Sequence, residues 1–357
     1  MEFVNVWFIL IAVLWIGYFV LDGFDLGVGI LLPILGRDDL RRRVMINAIG
    51  PVWDGNEVWL LVAGGATFAA FPLWYATMFS GFYLAFFVLL LALILRGVAF
   101  EYRSKEDSQS WRNRWDIAIF IGSALPAFLF GVAFGNVIGG SPIEPLPGTD
   151  AANAANFNYA GNFFDLLNPF SIAVGLMTLL IFTTHGAIFL ALKTSGEVRE
   201  SARSLIYKIG PLAAVVAVVA LLWAQSFSER VAITLPMVLV AALAWLGAIW
   251  LTRAGRDGWA FVLSSTTILL AVAALFVGLF PNVMVSSIDS AFNLTIDNAS
   301  SAGYTLTVMT WVAVIMTPIV VIYQGWTYWV FRKRISTSMI PDQPMAGRSD
   351  DRFVSTK

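Results

Sequence analysis

The chain has 357 residues, 59% of them apolar and only 13% charged, and its mean hydropathy is +0.78. A soluble domain carries about 25% charged residues, so this composition excludes a water-soluble globular protein and defines a polytopic membrane protein. A net charge of −1 gives no basis for nucleic-acid binding, and the lack of cysteine excludes disulfides, iron–sulfur clusters and thiolate metal sites.

Apolar stretches long enough to cross a bilayer, about 17–25 residues each, occur near residues 4–34, 46–70, 77–100, 116–139, 168–192, 206–226, 231–251, 259–280 and 304–331. Met1-Glu2-Phe3 lacks the basic segment of a cleavable signal peptide, so the first run reads as a retained span. Basic residues alternate sharply between the connecting loops. Arg37 and Arg41–Arg43 follow span 1, and Arg96, Arg103, Lys105, Arg112 and Arg114 surround the loop after span 3. Lys193, Arg199, Arg203 and Lys208 follow span 5, Arg253 and Arg256 follow span 7, and a further group follows span 9. Of the 22 Lys and Arg, only Arg230 falls on the other side. Basic loops stay in the cytoplasm, which predicts an outside N-terminus and a cytoplasmic C-terminus. The expected fold class is all-α, with nine transmembrane helices.

The long outer loop at 140–167 separates spans 1–4 from spans 5–8. This predicts two four-helix halves plus a peripheral ninth helix. Span 9 closes on Tyr323, Trp326, Tyr328 and Trp329, an interfacial aromatic belt, and then Arg332-Lys333-Arg334. The integral membrane domain is expected over 1–335. Residues 336–357 are polar and read as a disordered cytoplasmic tail.

Two acidic motifs interrupt the apolar runs. The first is Leu21-Asp22-Gly23-Phe24-Asp25-Leu26-Gly27-Val28-Gly29, and the second is Trp53-Asp54-Gly55-Asn56-Glu57-Val58-Trp59. Asp22 lies 15 residues beyond Trp7, about 22 Å along a helix, which places it in the inner leaflet. Asp22/Asp25 and Asp54/Glu57 are each spaced i, i+3 and share a helix face. A carboxylate at the bilayer centre costs roughly 2.5–3.5 kcal/mol, so such groups carry a function or a partner. Arg96 and Glu101 end span 3 on the same side and are the expected supporting charges. Four acids outnumber the nearby buried bases, which points to protons or water among them. The glycines Gly23, Gly27, Gly29 and Gly55 permit close helix approach.

His185 is the only histidine, in span 5. A hydrogen-bonded packing residue is the expected role, and haem ligation or a proton relay is the alternative. Trp53 and Trp59 flank the second motif. Helix packing accounts for them, with a hydrophobic ligand or gas path as the other option. From the residues alone three readings stand: a proton inlet, the site of a proton-coupled transporter, and structural ion pairs.

At these motifs the chain resembles subunit II of the cytochrome bd-type quinol oxidases. The resemblance runs through Leu21–Gly29, Gly36–Asn47, Trp53-Asp54-Gly55-Asn56 and Gly64–Ala70. It continues through Phe79–Tyr83, Tyr102–Lys105, Gly131–Asn136, Gly161–Phe164, Leu167–Phe170 and Val308–Val314, and so covers most of the chain. It implies a respiratory terminal oxidase of the bacterial cytoplasmic membrane that oxidises quinol and reduces oxygen to water. In such a complex haem d and two b-type haems are ligated by subunit I, a partner of similar nine-helix fold. No haem ligand is then expected here. The resemblance leaves room for small single-helix accessory subunits, quinone and lipids. It also implies a cytoplasmic proton route in which Asp22, Asp25 and Asp54 take part and Glu57 assists. Glu57 and His185 fall where relatives can carry Gln.

Overall fold

The computed structural model describes residues 2–149, 155 and 157–340. Its helices are α1 (Glu2–Leu35), α2 (Asp39–Ile49), α3 (Trp53–Ala70), α4 (Pro72–Gly81), α5 (Tyr83–Tyr102) and α6 (Gln109–Gly139). After the long loop come α7 (Pro169–Lys193), α8 (Glu197–Gln225), α9 (Val231–Arg253), α10 (Asp257–Leu279) and α11 (Gly303–Val330). Among the described residues, α1 and α5 to α11 are each long and apolar enough to span a membrane. Helices α3 and α4 pass the same test only together, bent by 118° at Phe71. The expected nine spans therefore require this broken pair to be counted as one.

The departure from the expected spans lies in this region. The apolar run from residue 46 is divided, because α2 ends at Ile49 and Pro51 supplies no amide to continue the ladder. Asp38 caps α2 through the Arg41 amide. The run from residue 77 is divided too. Its first residues belong to α4, which opens on Pro72, and the span itself begins at Tyr83.

Helix α1 is central, packed against α3, α6, α7 and α10. Its closest approach is to α7, where Gly27 and Gly186 face each other. A Cβ on Gly27 would overlap the Phe182 carbonyl oxygen, so only glycine allows the two backbones to meet. Helix α11 is peripheral, as expected. It packs on α1 and α3, and Leu306 is its one buried residue.

The two ends of the bundle differ in chemistry. At one end the basic loops converge: Arg41 pairs with Glu197, Arg42 with Asp116 at 2.8 Å, and Arg103 with Asp39 at 2.8 Å. Asp116 also accepts from Arg103 Nε at 2.5 Å, and Asp39 from Arg112 at 3.1 Å. Arg103 lies outside the spans; burial lowers its pKa, but hydrogen bonds and charge from Asp116 and Asp39 outweigh this and leave it raised. At the other end, two short antiparallel strand pairs lie in the loops of the otherwise all-α bundle. They are β1 (Ile143–Pro145) with β2 (Phe157–Tyr159), and β3 (Asn282–Met284) with β4 (Leu294–Thr295). The expected disordered tail lies outside the described residues from 341 onward, while Thr337–Met339 form a single 3-10 turn.

Candidate functional site

The first acidic motif faces α5 and α3. Asp22, Asp25 and Arg96 are all 0% exposed. Arg96 Nη2 lies 3.1 Å from Asp22 Oδ1, and Nη1 lies 3.5 Å from Oδ2, a forked pairing. The guanidinium also sits 5.6 Å from the centre of the Phe100 ring. One turn along α1, Asp25 Oδ2 accepts from Asn56 Nδ2 at 2.7 Å, whereas Asp25 Oδ1 has no partner among the described residues.

Asn56 is itself fully buried and relays this contact outward. Its Oδ1 accepts from the Tyr328 hydroxyl at 2.8 Å and from Gln324 Nε2 at 3.0 Å. Gln324 Oε1 in turn accepts from Trp59 Nε1 at 2.7 Å. One line of hydrogen bonds thus joins α1, α3 and α11. One further buried atom in the same locality, Arg96 Nε, has no partner among the described residues, and the buried Tyr18 hydroxyl lies beside Asp22. With Asp25 Oδ1 they make an acceptor, a donor and a group that can be either. A buried polar atom left dry costs about 1–3 kcal/mol, which a water among such groups would offset.

The second motif grades from this interior to the surface. Glu57 is half-buried and within electrostatic reach of Arg96, Asp22 and Asp54. Asp54 is exposed, beside Gly55, whose missing side chain would meet nothing within 4 Å. Gly23, Gly27 and Gly29 permit close packing within the chain, as expected, while Gly55 opens outward. Glu101 does not join the cluster. It is exposed and, five residues beyond Arg96, lies about 140° around α5. Trp53 packs on Phe100, with ring centres 5.0 Å apart, and Trp59 packs on Gly17 of α1. Both serve helix contacts.

His185 stands apart from the acids. It is fully buried between α1, α7 and α10, with Phe261 stacked at 4.9 Å. Its Nε2 lies 3.2 Å from the Val20 carbonyl oxygen and its Nδ1 lies 2.8 Å from Ser264 Oγ. A carbonyl can only accept, so in the neutral ring Nε2 carries the proton, and Nδ1 accepts from the Ser264 hydroxyl in competition with the Phe261 carbonyl at 2.9 Å. Both nitrogens are engaged, and the site does not fit a haem ligand. Among the described residues, no group of three or more His, Asp or Glu is placed to hold a metal ion.

Sequence reasoning missed Asn56, Gln324, Tyr328 and Tyr18. Asn56 sits inside the acidic motif, and Gln324 is the one amide side chain in span 9, four residues before Tyr328. That i, i+4 pair was a legible signal hidden in an aromatic belt.

The fold and this cluster define a multi-pass membrane subunit that buries an acid–arginine pair and an adjoining, half-satisfied carboxylate. Residues 3–331 match the family described as cytochrome bd terminal oxidase subunit II. The chain is 44% identical over 336 residues to cytochrome bd ubiquinol oxidase subunit 2 of Bacillus subtilis, covering 93% of this chain and 96% of that one. It is 39% identical over 364 residues to cytochrome bd-I ubiquinol oxidase subunit 2 of Escherichia coli, covering 93% and 94%. The bd oxidase structure from Geobacillus thermodenitrificans shares the fold, with a TM-score of 0.72 at 16% identity over 93% of this chain and 100% of that one. The chain belongs to the cytochrome bd terminal oxidase subunit II family. It is a multi-pass protein of the bacterial inner membrane and an oxidoreductase component of a respiratory quinol oxidase complex.

Proposed function

We propose that this subunit supports the haem-bearing subunit I and supplies a cytoplasmic proton-uptake route for a complex that oxidises quinol and reduces oxygen to water. The observation that carries this reading is the free Oδ1 of a fully buried Asp25, beside an arginine already committed to Asp22. Arg96 offsets one negative charge. A second carboxylate at this depth is offset by a proton or by water. Asn56 holds Asp25 Oδ2, so Oδ1 is the oxygen that accepts and releases a proton. Tyr18 and the free Arg96 Nε would position water between it and Glu57. Asp54 is the entry group, nearest the surface.

The face of α3 that carries Asp54 is, in this reading, the one that meets subunit I. Asp54 shares the outer face of α3 with Leu61 and Phe68, 68% and 59% exposed. A carboxylate turned toward lipid beside such residues is unfavourable, and a partner subunit that covers this face removes the cost. Subunit I holds the haems in this reading, and they supply electron transfer from quinol to oxygen. Asp22 is a counter-ion for Arg96 before it is a proton carrier, so Asp25 and Asp54 are the test residues.

The experiment is Asp25→Asn and Asp54→Asn in the assembled complex, with oxygen consumption and proton uptake measured in proteoliposomes. Turnover is expected to fall at least about tenfold, which corresponds to about 1.4 kcal/mol of barrier, while haem absorbance is unchanged. Unaltered turnover and pH profile in both variants would end the inlet reading.

A further inference from the structure

Away from the acidic motifs, a second buried carboxylate organises the basic end of the other helix group. Asp257 opens α10, and its side chain is 0% exposed. Three arginines converge on it. Arg199 reaches Oδ2 through Nη2 at 2.7 Å and Nε at 3.1 Å. Arg203 reaches Oδ1 through Nη2 at 2.8 Å and Nε at 3.1 Å. Arg334, from the segment after α11, reaches Oδ2 through Nη2 at 3.2 Å. One carboxylate balances one of these charges. Glu200 approaches Arg203 Nη1 at only 3.9 Å and is largely exposed. Lys193 adds a further cation, bonded to the carbonyls of Phe331 and Lys333 and to no acid among the described residues. The corner carries excess positive charge, and Nη1 of Arg199 and Arg334 has no acceptor among the described residues.

An apolar groove lies on the same helices. It has a volume of about 270 Å³ and is lined by Ala214, Ala217, Leu221, Val238, Trp245 and Thr267. Val215 and Leu246 form its lips and are 62% and 54% exposed, so it opens toward lipid. Ala217 follows Arg199 by 18 residues, five turns of helix, and Ala214 follows Arg203 by 11 residues, about three turns. The arginines and the groove thus share one stripe of α8. Along the axis, Ala214 lies about 16 Å and Leu221 about 27 Å from Arg203, so the α8 wall of the groove begins about one leaflet, ~15 Å, in and meets the terminal part of an acyl chain.

We propose that this corner binds one anionic phospholipid, its phosphate held by Arg199, Arg203 and Arg334 and one acyl chain lying in the groove. Guanidinium forks match phosphate oxygens in geometry and charge, and basic pockets between helices at the inner face suit acidic head groups. A zwitterionic lipid brings its own cation into an already positive site and is disfavoured. A free phosphate gains nothing from the groove.

The test uses the purified, delipidated oxidase complex, with native mass spectrometry and thermal unfolding as readouts. The probes are dioleoyl phosphatidylglycerol, dioleoyl phosphatidylcholine and inorganic phosphate. Two variants separate the two halves of the site. Arg334→Gln leaves Asp257 with two arginines, and Ala217→Phe fills the groove without touching the charges. Phosphatidylglycerol is expected to be retained and to raise the unfolding temperature, with affinity falling roughly tenfold in each variant. Equal retention of phosphatidylcholine, equal protection by inorganic phosphate, or unaltered phosphatidylglycerol binding in both variants would each overturn the assignment. The readout is binding, so it is independent of the proton-uptake reading.

Discussion

Arg96 of α5 and Asp22 of α1 meet with both side chains fully buried, Nη2 3.1 Å from Oδ1. The pair fixes α5 against α1 at the depth where the other acids collect. Its net worth over an apolar pair is small, but breaking it from one side leaves a bare charge in the membrane interior.

That asymmetry predicts the behaviour of Asp22→Asn. Loss of the counter-ion is expected to cost about 3–5 kcal/mol, seen as low yield of assembled complex and reduced haem content rather than a slow enzyme. The double variant Asp22→Leu with Arg96→Met should recover most of the assembly, because no charge is then buried alone. A normal yield of Asp22→Asn would show that the arginine finds another anion, with Glu57 the nearest candidate on electrostatic grounds.

Asn56 joins three side-chain partners at once, besides the Leu21 carbonyl, so Asn56→Leu should have effects beyond its own helix. The substitution unpairs Asp25 Oδ2, Gln324 Nε2 and the Tyr328 hydroxyl together. At about 1–3 kcal/mol for each stranded buried group, the lower half of α11 should loosen. Hydrogen exchange monitored by mass spectrometry is expected to rise across residues 320–330. Exchange that matches the parent protein there would show that the Trp7 contacts with Leu306 and Thr310, near the other end of α11, hold the helix without the relay.

His185→Gln tests the structural account of the lone histidine. A glutamine amide offers one donor for the Val20 carbonyl and one acceptor for Ser264, which are the two bonds His185 makes. The complex is expected to assemble with unchanged haem absorbance and to lose about 1 kcal/mol or less. Loss of a haem band on this substitution would contradict the arrangement at His185.

Much of this was legible in the chain itself. Spans α1 and α5 to α11 follow directly from hydropathy, since a lipid environment demands long, internally hydrogen-bonded apolar helices. The basic residues gather at one end of the bundle, where Arg41, Arg42, Arg103 and Arg334 each pair with an acid near the start of another helix. The second and third spans were less legible. Pro51 breaks the run at 46–70, and α4 gives way to α5 at Phe82 inside the run at 77–100; composition does not register a lost amide or a bend at Phe71. The acidic motifs were visible as sequence, and so was Arg96 as their neighbour in depth.

Sequence by itself determined that four acids lie inside a membrane protein of this family, because the cost of burying charge makes each of them conspicuous in an apolar run. Only the tertiary structure decided what each one is. Rotation about α1, α3 and α5 gives Asp22 the arginine, leaves Asp25 with one free oxygen, sets Glu57 at the boundary and turns Asp54 outward. It leaves Glu101 outside and brings in Asn56, Gln324 and Tyr328 from helices far apart in the chain. The physical reason is that hydropathy reports depth in the bilayer, whereas hydrogen bonding depends on azimuth and on which helices touch, and those are fixed only when the bundle packs.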